Sequence, residues 1–372
     1  MKTGLISVLL FASSIALAEE HRFQTEDYNL HVQQVADGLE NPWALEFLPD
    51  GRMLVTERPG YLRIIENGKV SRPVSGLPKI KAFGQGGLLD VALDPDFATN
   101  QIIYLSYAGP GSGGVGTEVA KARLDGTELK DVSIIFRLAM KTDGGYHFGS
   151  RLTFDAEGRL YISLGDRGDK DRAQDLGDHA GSLIRINKDG SVPDDNPFVM
   201  RDAVKPEIFT YGNRNMQGMD VHPDTGEIWT IEHGPQGGDE LNRMQAGVNY
   251  GWPVITYGVN YVIGTKIGEG TEKAGMEQPV HYWVPSIATS GLLFYTGESF
   301  SKWRGNAFVG SLKFGQLARL ELENNKVVHE ERLFDGELGR IRDVKQGPDG
   351  NIYVITDEQN GKVFRIQPES KT

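Results

Sequence analysis

The residues best equipped for chemistry sit in short clusters flanked by glycine. The segment Glu232-His233-Gly234-Pro235-Gln236-Gly237-Gly238-Asp239-Glu240 is followed by Asn249-Tyr250-Gly251-Trp252-Pro253. The first crowds carboxylates among backbone carbonyls freed by Gly and Pro turns, and the second adds further carbonyls of that kind. Hard cations such as calcium prefer that oxygen-rich setting, so alone this is a candidate metal loop. Further up, His147 lies in Gly144-Gly145-Tyr146-His147-Phe148-Gly149, whose glycines let the backbone approach a ligand closely. Asp166 follows in Leu164-Gly165-Asp166-Arg167-Gly168-Asp169. A carboxylate behind an imidazole orients it and supports the cation formed when it takes a proton. A lone His more often makes a structural hydrogen bond, and spacing alone leaves both readings open.

Cations recur at similar points. Arg214 and Asn215 end Tyr211-Gly212-Asn213-Arg214-Asn215, Lys313 lies in Gly310-Ser311-Leu312-Lys313-Phe314-Gly315, and Arg340-Ile341-Arg342 puts two guanidinium groups on one face of a strand. Each alone is an ordinary solvated charge or loop contact. Four of them beside a metal loop in an acidic protein point to a small polyanionic ligand, which Arg binds with a rigid fork of donors. The acidic run Asp166, Asp169, Asp171, Asp175 and Asp178 lacks the ligand order of a calcium-binding EF-hand. Arg167, Lys170 and Arg172 compete for its carboxylates, so it reads mainly as a solvated loop. No Gly-x-Ser-x-Gly elbow, phosphate loop or dinucleotide fingerprint in a strand-helix setting is present.

These clusters need a frame, and the frame is a repeat. An apolar strand, a turn of Pro, Asp and Gly, and a second alternating strand recur six times, at 43–56, 88–107, 152–163, 219–230, 291–312 and 344–356. Several copies run on into a third strand, at 60–65, 181–186, 317–322 and 361–366. Short even strands with Gly-rich turns predict an all-β, six-bladed β-propeller, to which the 47 glycines and the absence of sustained helical periodicity conform. Insertions are expected between the third and fifth copies, in loops 166–178 and 257–281, on the functional face.

Composition narrows the setting. Met1-Lys2, an apolar run from Leu5 to Leu17 and Ala16-Leu17-Ala18 before Glu19 form a secretory signal peptide over 1–18, leaving 19–372 as one propeller domain. The run is too short to span a membrane, and no later segment approaches about 18 consecutive apolar residues. The expectation is therefore a soluble, exported protein with no membrane span. The chain has no Cys, so it has no disulfide, thiolate metal site or thiol nucleophile. A net charge of −12 argues against a nucleic-acid partner.

Taken together, Gly84-Gln85-Gly86-Gly87-Leu88-Leu89-Asp90, the His147 segment, Tyr211-Gly212-Asn213-Arg214-Asn215-Met216-Gln217-Gly218, the 232–240 loop, Asn249-Tyr250-Gly251-Trp252-Pro253 and Arg340-Ile341-Arg342-Asp343 resemble the soluble aldose sugar dehydrogenases of the glucose/sorbosone dehydrogenase family. The likeness runs from about Gly38 to Ile366. It implies oxidation of an aldose at C1 to the lactone by pyrroloquinoline quinone (PQQ), lying over the mouth of the central channel. By the same resemblance, His147 is the general base, Asp166 orients it, and hydride passes to the quinone C5. Gln85, Arg214, Asn215, Lys313, Arg340 and Arg342 fall at cofactor-binding positions, with Arg214 also stabilising charge on the C5 oxygen. The carbonyls of Gly234 and Pro235 would hold the cofactor's calcium, and Glu240 with the Tyr250 carbonyl a structural one. The implied setting is periplasmic and the implied partners are an aldose and an external electron acceptor, with the protein a monomer or weak dimer. Two positions depart from the pattern: Tyr146 stands where relatives carry a small polar or acidic residue, and Asn260 where glucose-specific relatives carry an acidic calcium ligand. Two other classes fit a propeller of this composition. One is a non-catalytic module binding a carbohydrate or protein at its mouth; the other is a calcium-dependent lactonase-like hydrolase, which needs several side-chain ligands converging on one ion. The quinone reading instead needs Lys313, Arg340 and Arg342 to converge with His147.

Overall fold

The structure, a computed structural model, describes residues 19–369; the expected leader at 1–18 lies outside them. Six antiparallel sheets form the molecule, five of four strands and one of five, in a six-bladed propeller. Blade 1 opens with Pro42–Phe47 and Met53–Glu57, and blade 2 with Leu88–Leu93 and Ile102–Gly111. Blade 3 opens with Leu152–Phe154 and Leu160–Ser163, and blade 4 with Met216–Val221 and Ile228–Glu232. Blade 5 opens with Thr289–Phe294 and Ala307–Ser311, and blade 6 with Ile341–Gln346 and Ile352–Thr356. These pairs coincide with the six sequence repeats. The expected third strands also form, as Tyr61–Glu66, Leu183–Ile186, Leu317–Glu323 and Gly361–Pro368. Helix among the described residues is limited to Phe97–Asn100 and two short 3₁₀ turns.

The ring closes through chain ends. Asn29–Leu39 pairs antiparallel with Gly361–Pro368, and Glu20–Gln24 adds a fifth strand outside it. The first strands of all six blades touch in sequence around the axis, the sixth returning to the first. Inner strands are covered on both faces by neighbouring blades, which is why Met53–Glu57, Ile228–Glu232 and Ile352–Thr356 are buried throughout rather than alternating. The apolar core lies between blades, for instance Leu54, Leu89, Leu105 and Phe148 on one side of the ring and Phe308, Leu317, Val344 and Phe364 on another.

Hydroxyls on second strands stitch one blade to the next. Thr56 donates to the Leu89 carbonyl, Ser106 to Ser150 at 2.6 Å and Ser163 to Met216 at 3.2 Å. Carboxylates on first strands do the same: Asp90 accepts from the Leu152 amide at 2.7 Å, Asp220 from Phe294 at 2.7 Å and Asp343 from Leu45 at 3.0 Å.

Arg151, only 3% exposed, occupies the axis. Its guanidinium meets Asp90 at 3.4 Å and Asp343 at 3.1 Å, donates to the Gln217 carbonyl at 2.6 Å, and lies 4.2 Å from the centre of the Trp43 ring. Burial raises Asp90 to about 6, against the pull of Arg151. Arg151→Met should therefore destabilise the fold by about 3–5 kcal/mol, because two buried carboxylates lose their salt-bridge partner. The deficit should shrink on acidification through pH 6, as the raised Asp90 takes up a proton in the folded state. Denaturant titration at pH 5 and 8 checks this, and a deficit independent of pH would contradict the role given to the buried charges.

Candidate functional site

In an antiparallel hairpin the start of the first strand and the end of the second lie at the same edge. That geometry gathers the chemistry at one mouth. Gln85, His147, Arg214, Asn215 and Arg340 all precede a first strand, and Asp166, Gly234, Lys313 and Asp357 all follow a second.

At the blade 3 mouth, His147 Nδ1 lies 2.6 Å from Asp166 Oδ1. The carboxylate also accepts from the Gly168 amide at 2.7 Å and from Trp252 Nε1 at 2.8 Å. Burial works to raise Asp166, but the His147 hydrogen bond and charge, with the Gly168 amide, carry it below its ordinary value. An ionised Asp166 accepts the Nδ1–H hydrogen bond, the tautomer that leaves Nε2 as the acceptor. The backbone of His147 is in the left-handed region, at φ 50°. Its amide donates to Gln85 Oε1 at 2.8 Å. Gly165 makes this approach possible, since a Cβ there would lie 2.2 Å from the His147 carbonyl oxygen.

Beside this pair opens a cavity of roughly 860 Å³. Its walls include Gln85, Asn215, Gly234, Pro235, Lys313, Arg340 and Arg342, seven of the positions expected from sequence. His147 is not on that wall but joins it through Gln85. Arg342 is buried, paired through Nη2 with Asp357 at 2.6 Å and through Nη1 with Gln217 at 3.2 Å, while its Nε has no partner. An orphaned buried cationic donor costs free energy until an acceptor arrives. Lys313 and Arg340 are exposed on the wall and held by the carbonyls of Ser286 at 3.2 Å and Leu312 at 3.0 Å.

Arg214 lies elsewhere. It is buried behind the wall, donating from Nη1 to the carbonyls of His233 at 3.0 Å and Gly234 at 2.7 Å, with Trp252 5.4 Å from its guanidinium carbon. The Gly234 carbonyl expected to hold a cation thus already accepts from a guanidinium. Glu240 and Tyr250 line a second cavity of about 10 Å³, together with Glu232, Trp252 and Arg214. That is room for about one water-sized sphere. His233 and Gly234 border both cavities.

Glu232 organises this wall. Its buried carboxylate accepts from Asn213 Nδ2 at 3.0 Å, from the Arg214 amide at 2.5 Å and the Asn215 amide at 3.3 Å. Asn242 Nδ2 bridges it to Glu240, 3.3 Å from an oxygen of each. Burial, then the neighbouring Glu232 charge, raises Glu240 well above the ordinary carboxylate range, and burial also raises Glu232. Among the described residues no group of three or more His, Cys, Asp or Glu converges as a metal cage. Calcium also takes backbone carbonyls, so a two-carboxylate chamber suits it better than it suits transition metals.

Four wall residues receive no site role from the sequence motifs: Trp43, Arg58, Asp357 and Gln217, the last lying inside a quoted motif. Asp357 does carry a signal, because an acid follows a second-strand Thr in Thr56-Glu57 and again in Thr356-Asp357. The acidic run differs from the solvated loop expected. Asp169, Asp171 and Asp175 are exposed, but Asp166 and Asp178 are buried, the latter 2.6 Å from Arg172 Nε. Loop 257–281 reaches the cavity as anticipated, through Val259 and Tyr261. Asn260 is spent inside that loop, on Thr265 at 2.9 Å.

The sequence matches the profile of the Glucose / Sorbosone dehydrogenase family over residues 39–365. It is 45% identical over 348 residues to an aldose sugar dehydrogenase of Escherichia coli (strain K12), covering 92% of this chain and 94% of that protein. The fold superposes on the crystal structure of the soluble E. coli aldose sugar dehydrogenase in its apo form with a TM-score of 0.89, at 45% identity, covering 91% of this chain and 100% of that one. It superposes on the PQQ-bound form of aldose sugar dehydrogenase from Streptomyces coelicolor with a TM-score of 0.75, at 25% identity, covering 91% and 98%.

The raised carboxylates give a stability prediction. A folded-state pKa above the unfolded value means stability is lost as pH rises from the ordinary glutamate range through the raised value. With divalent ions chelated, Glu240→Gln should be more stable than the parent at pH 8, by about 1 kcal/mol, and the gain should vanish near pH 4. Urea midpoints measure both, and a variant less stable at pH 8 would show that the two carboxylates do not repel.

Proposed function

The chain belongs to the glucose/sorbosone dehydrogenase family, and from that premise we propose that it oxidises aldose sugars at C1 to the lactone with pyrroloquinoline quinone and calcium. The observation that carries this reading is convergence. Lys313, Arg340 and Arg342, with Arg58, border one cavity, and Gln85 on its wall holds the amide of a His–Asp pair. A tricarboxylate cofactor fits such a wall, because charge-assisted bonds would occupy the cations and the unpartnered Arg342 Nε. A lactonase-like hydrolase finds less support, since no group of three or more His, Cys, Asp or Glu side chains converges among the described residues.

The quinone, when bound, would supply the redox chemistry, which no side chain can do. The protein's own part is proton handling, charge and placement. His147 Nε2 would take the proton of the anomeric hydroxyl, while Asp166 holds Nδ1–H and supports the imidazolium. Trp252 Nε1 keeps the second Asp166 oxygen occupied, so the carboxylate cannot swing away from the ring. Lys313, Arg340 and Arg342 would bind cofactor carboxylates, with Gln85 and Asn215 adding neutral hydrogen bonds. Arg214 would stabilise negative charge from behind the Gly234 peptide. The Gly234 and Pro235 carbonyls would hold the cofactor's calcium, Gly234 using the lone pair that Arg214 leaves free. Glu240 and the Tyr250 carbonyl, with Glu232, would hold a structural calcium in the small chamber. An external acceptor would be needed to take up the electrons, and the leader at 1–18 would put this exchange in the periplasm.

Purified protein mixed with calcium and PQQ should reduce a dye when given an aldose. No reduction with any aldose, despite bound quinone, would end the enzyme reading. His147→Ala should bind quinone within a few-fold of the parent while turnover falls about 10²–10⁴-fold; loss of quinone binding instead would remove His147 from the base role. Calcium should raise the melting temperature at pH 8 and lose that effect on acidification, as protons return to Glu232 and Glu240. Stabilisation that does not change with pH would place the ion elsewhere.

A further inference from the structure

Arg167 follows the orienting carboxylate and turns the other way. Its side chain is nearly inaccessible, 4% exposed, in an otherwise acidic loop. It touches three positions around His147 and makes no bond with His147 itself. Nη2 donates to the Gly144 carbonyl at 2.6 Å, and Nη1 donates to the Tyr146 carbonyl. The guanidinium carbon stands 3.5 Å from the centre of the Phe148 ring. Phe148 is itself buried and packs on Gly86, where a Cβ would come 2.5 Å from the ring. A stack of Arg167, Phe148 and Gly86 therefore ties the loop to the residue beside Gln85.

Burying a guanidinium is costly. Desolvation and the nearby Arg172 charge push it down to about 10, only partly offset by Asp166. Its Nε finds no partner, and its own backbone is held at φ 60°, a conformation unfavourable for a side chain of this size. A fold seeking stability alone would fill this volume with an apolar residue. The hydrogen bonds and the ring stack that Arg167 makes instead all fall on residues 144, 146 and 148, in the loop that holds His147 at φ 50°.

We propose that Arg167 is a positioning residue: its two-pronged grip on the Gly144 and Tyr146 carbonyls, with its stack on Phe148, fixes the backbone from which His147 reaches the substrate. Consecutive residues divide the task, Asp166 setting the ring through Nδ1 and Arg167 setting the main chain. The inference rests on the reading of His147 as the base. The ligand cavity does not include Arg167 in its wall, so its effect is confined to turnover.

The test uses Arg167→Lys, which keeps the charge but loses the fork, and Arg167→Met, which keeps packing on Phe148 alone. A displacement near 1 Å at the base is worth up to about 10²-fold in rate. Turnover on an aldose should fall about 10-fold in the Lys variant and about 100-fold in the Met variant, with quinone affinity and KM each within about threefold of the parent. In protein free of cofactor, the His147 Nδ1–H proton resonance, assigned by its loss in His147→Ala, should broaden in the same order. Unchanged turnover with an unchanged resonance overturns the proposal. So does a parallel loss of quinone affinity and turnover, which would make Arg167 a support for the whole mouth. If the parent binds quinone yet oxidises no aldose, the function proposed above fails, while the resonance still decides whether Arg167 holds the loop. Should the Met variant not fold, the Lys variant and its resonance carry the decision.

Discussion

One guanidinium holds the centre of this molecule. Arg151 leads into blade 3, pairs with Asp90 of blade 2 and Asp343 of blade 6, donates to the Gln217 carbonyl of blade 4, and lies against Trp43 of blade 1. Five of the six innermost strands therefore meet at a single charge. A ring of sheets has no central core of its own; apolar side chains fill the spaces between blades, and the axis is left polar. Without a multivalent donor there, the inward carboxylates would face one another in a low-dielectric channel. The same Arg151 sits directly under the cavity floor, because Trp43 lines the cavity above and touches the guanidinium below. The geometry of the mouth is thus set by what neutralises the axis.

Closure supplies the second constraint. Blade 6 brings Arg340, Arg342 and Asp357, and blade 1 brings Trp43 and Arg58; nothing in the linear order of the chain makes these neighbours. They meet because Asn29–Leu39, from the start of the chain, completes the sheet that its end begins. Asp343 reinforces the seam by accepting the Leu45 amide. A cationic wall assembled across that seam costs little sequence, since each blade contributes one or two residues at a strand end. Asp357 then keeps the two arginines from splaying apart, pairing with Arg342 at 2.6 Å and lying 3.7 Å from Arg340.

How much of this is legible in the sequence depends on the kind of signal. Repeats are local, so the blades are readable from strand, turn and strand at 43–56 or 344–356, and the mouth follows from where strands begin and end. His147 and Asp166 can be paired because both flank the same hairpin. Arg58 and Trp43 cannot be found that way: each is an ordinary residue at a blade edge until closure places it opposite blade 6. Loop 166–178 misleads for a related reason. Five acids and three cations in one stretch look solvated, yet Arg172 folds inward onto Asp178 and Arg167 onto the His147 loop, pairings that only tertiary packing selects. Arg214 is expected among the cavity cations and instead stands one peptide behind them, a distinction of depth that spacing does not encode.

That single peptide is what divides the site electrostatically. On one side of the His233-Gly234 backbone lies a large chamber lined by cations; on the other lies a small one with Glu232 and Glu240. Both of its carboxylates are pushed upward by burial, and Glu240 by its neighbour as well. Arg214 straddles the partition, its amide on Glu232 and its guanidinium on the His233 and Gly234 carbonyls. His233, pushed down to about 4 mainly by burial, stays neutral between them and is pinned through Nε2 to the Thr289 carbonyl at 2.5 Å. A charged histidine there would add to the cationic side and pull the wall toward the glutamates. Keeping it neutral adds no further positive charge at the two residues, His233 and Gly234, that border both chambers. Any charge bound in one chamber is therefore felt in the other across a thin wall that carries the Arg214 guanidinium, where the low dielectric makes such coupling strong.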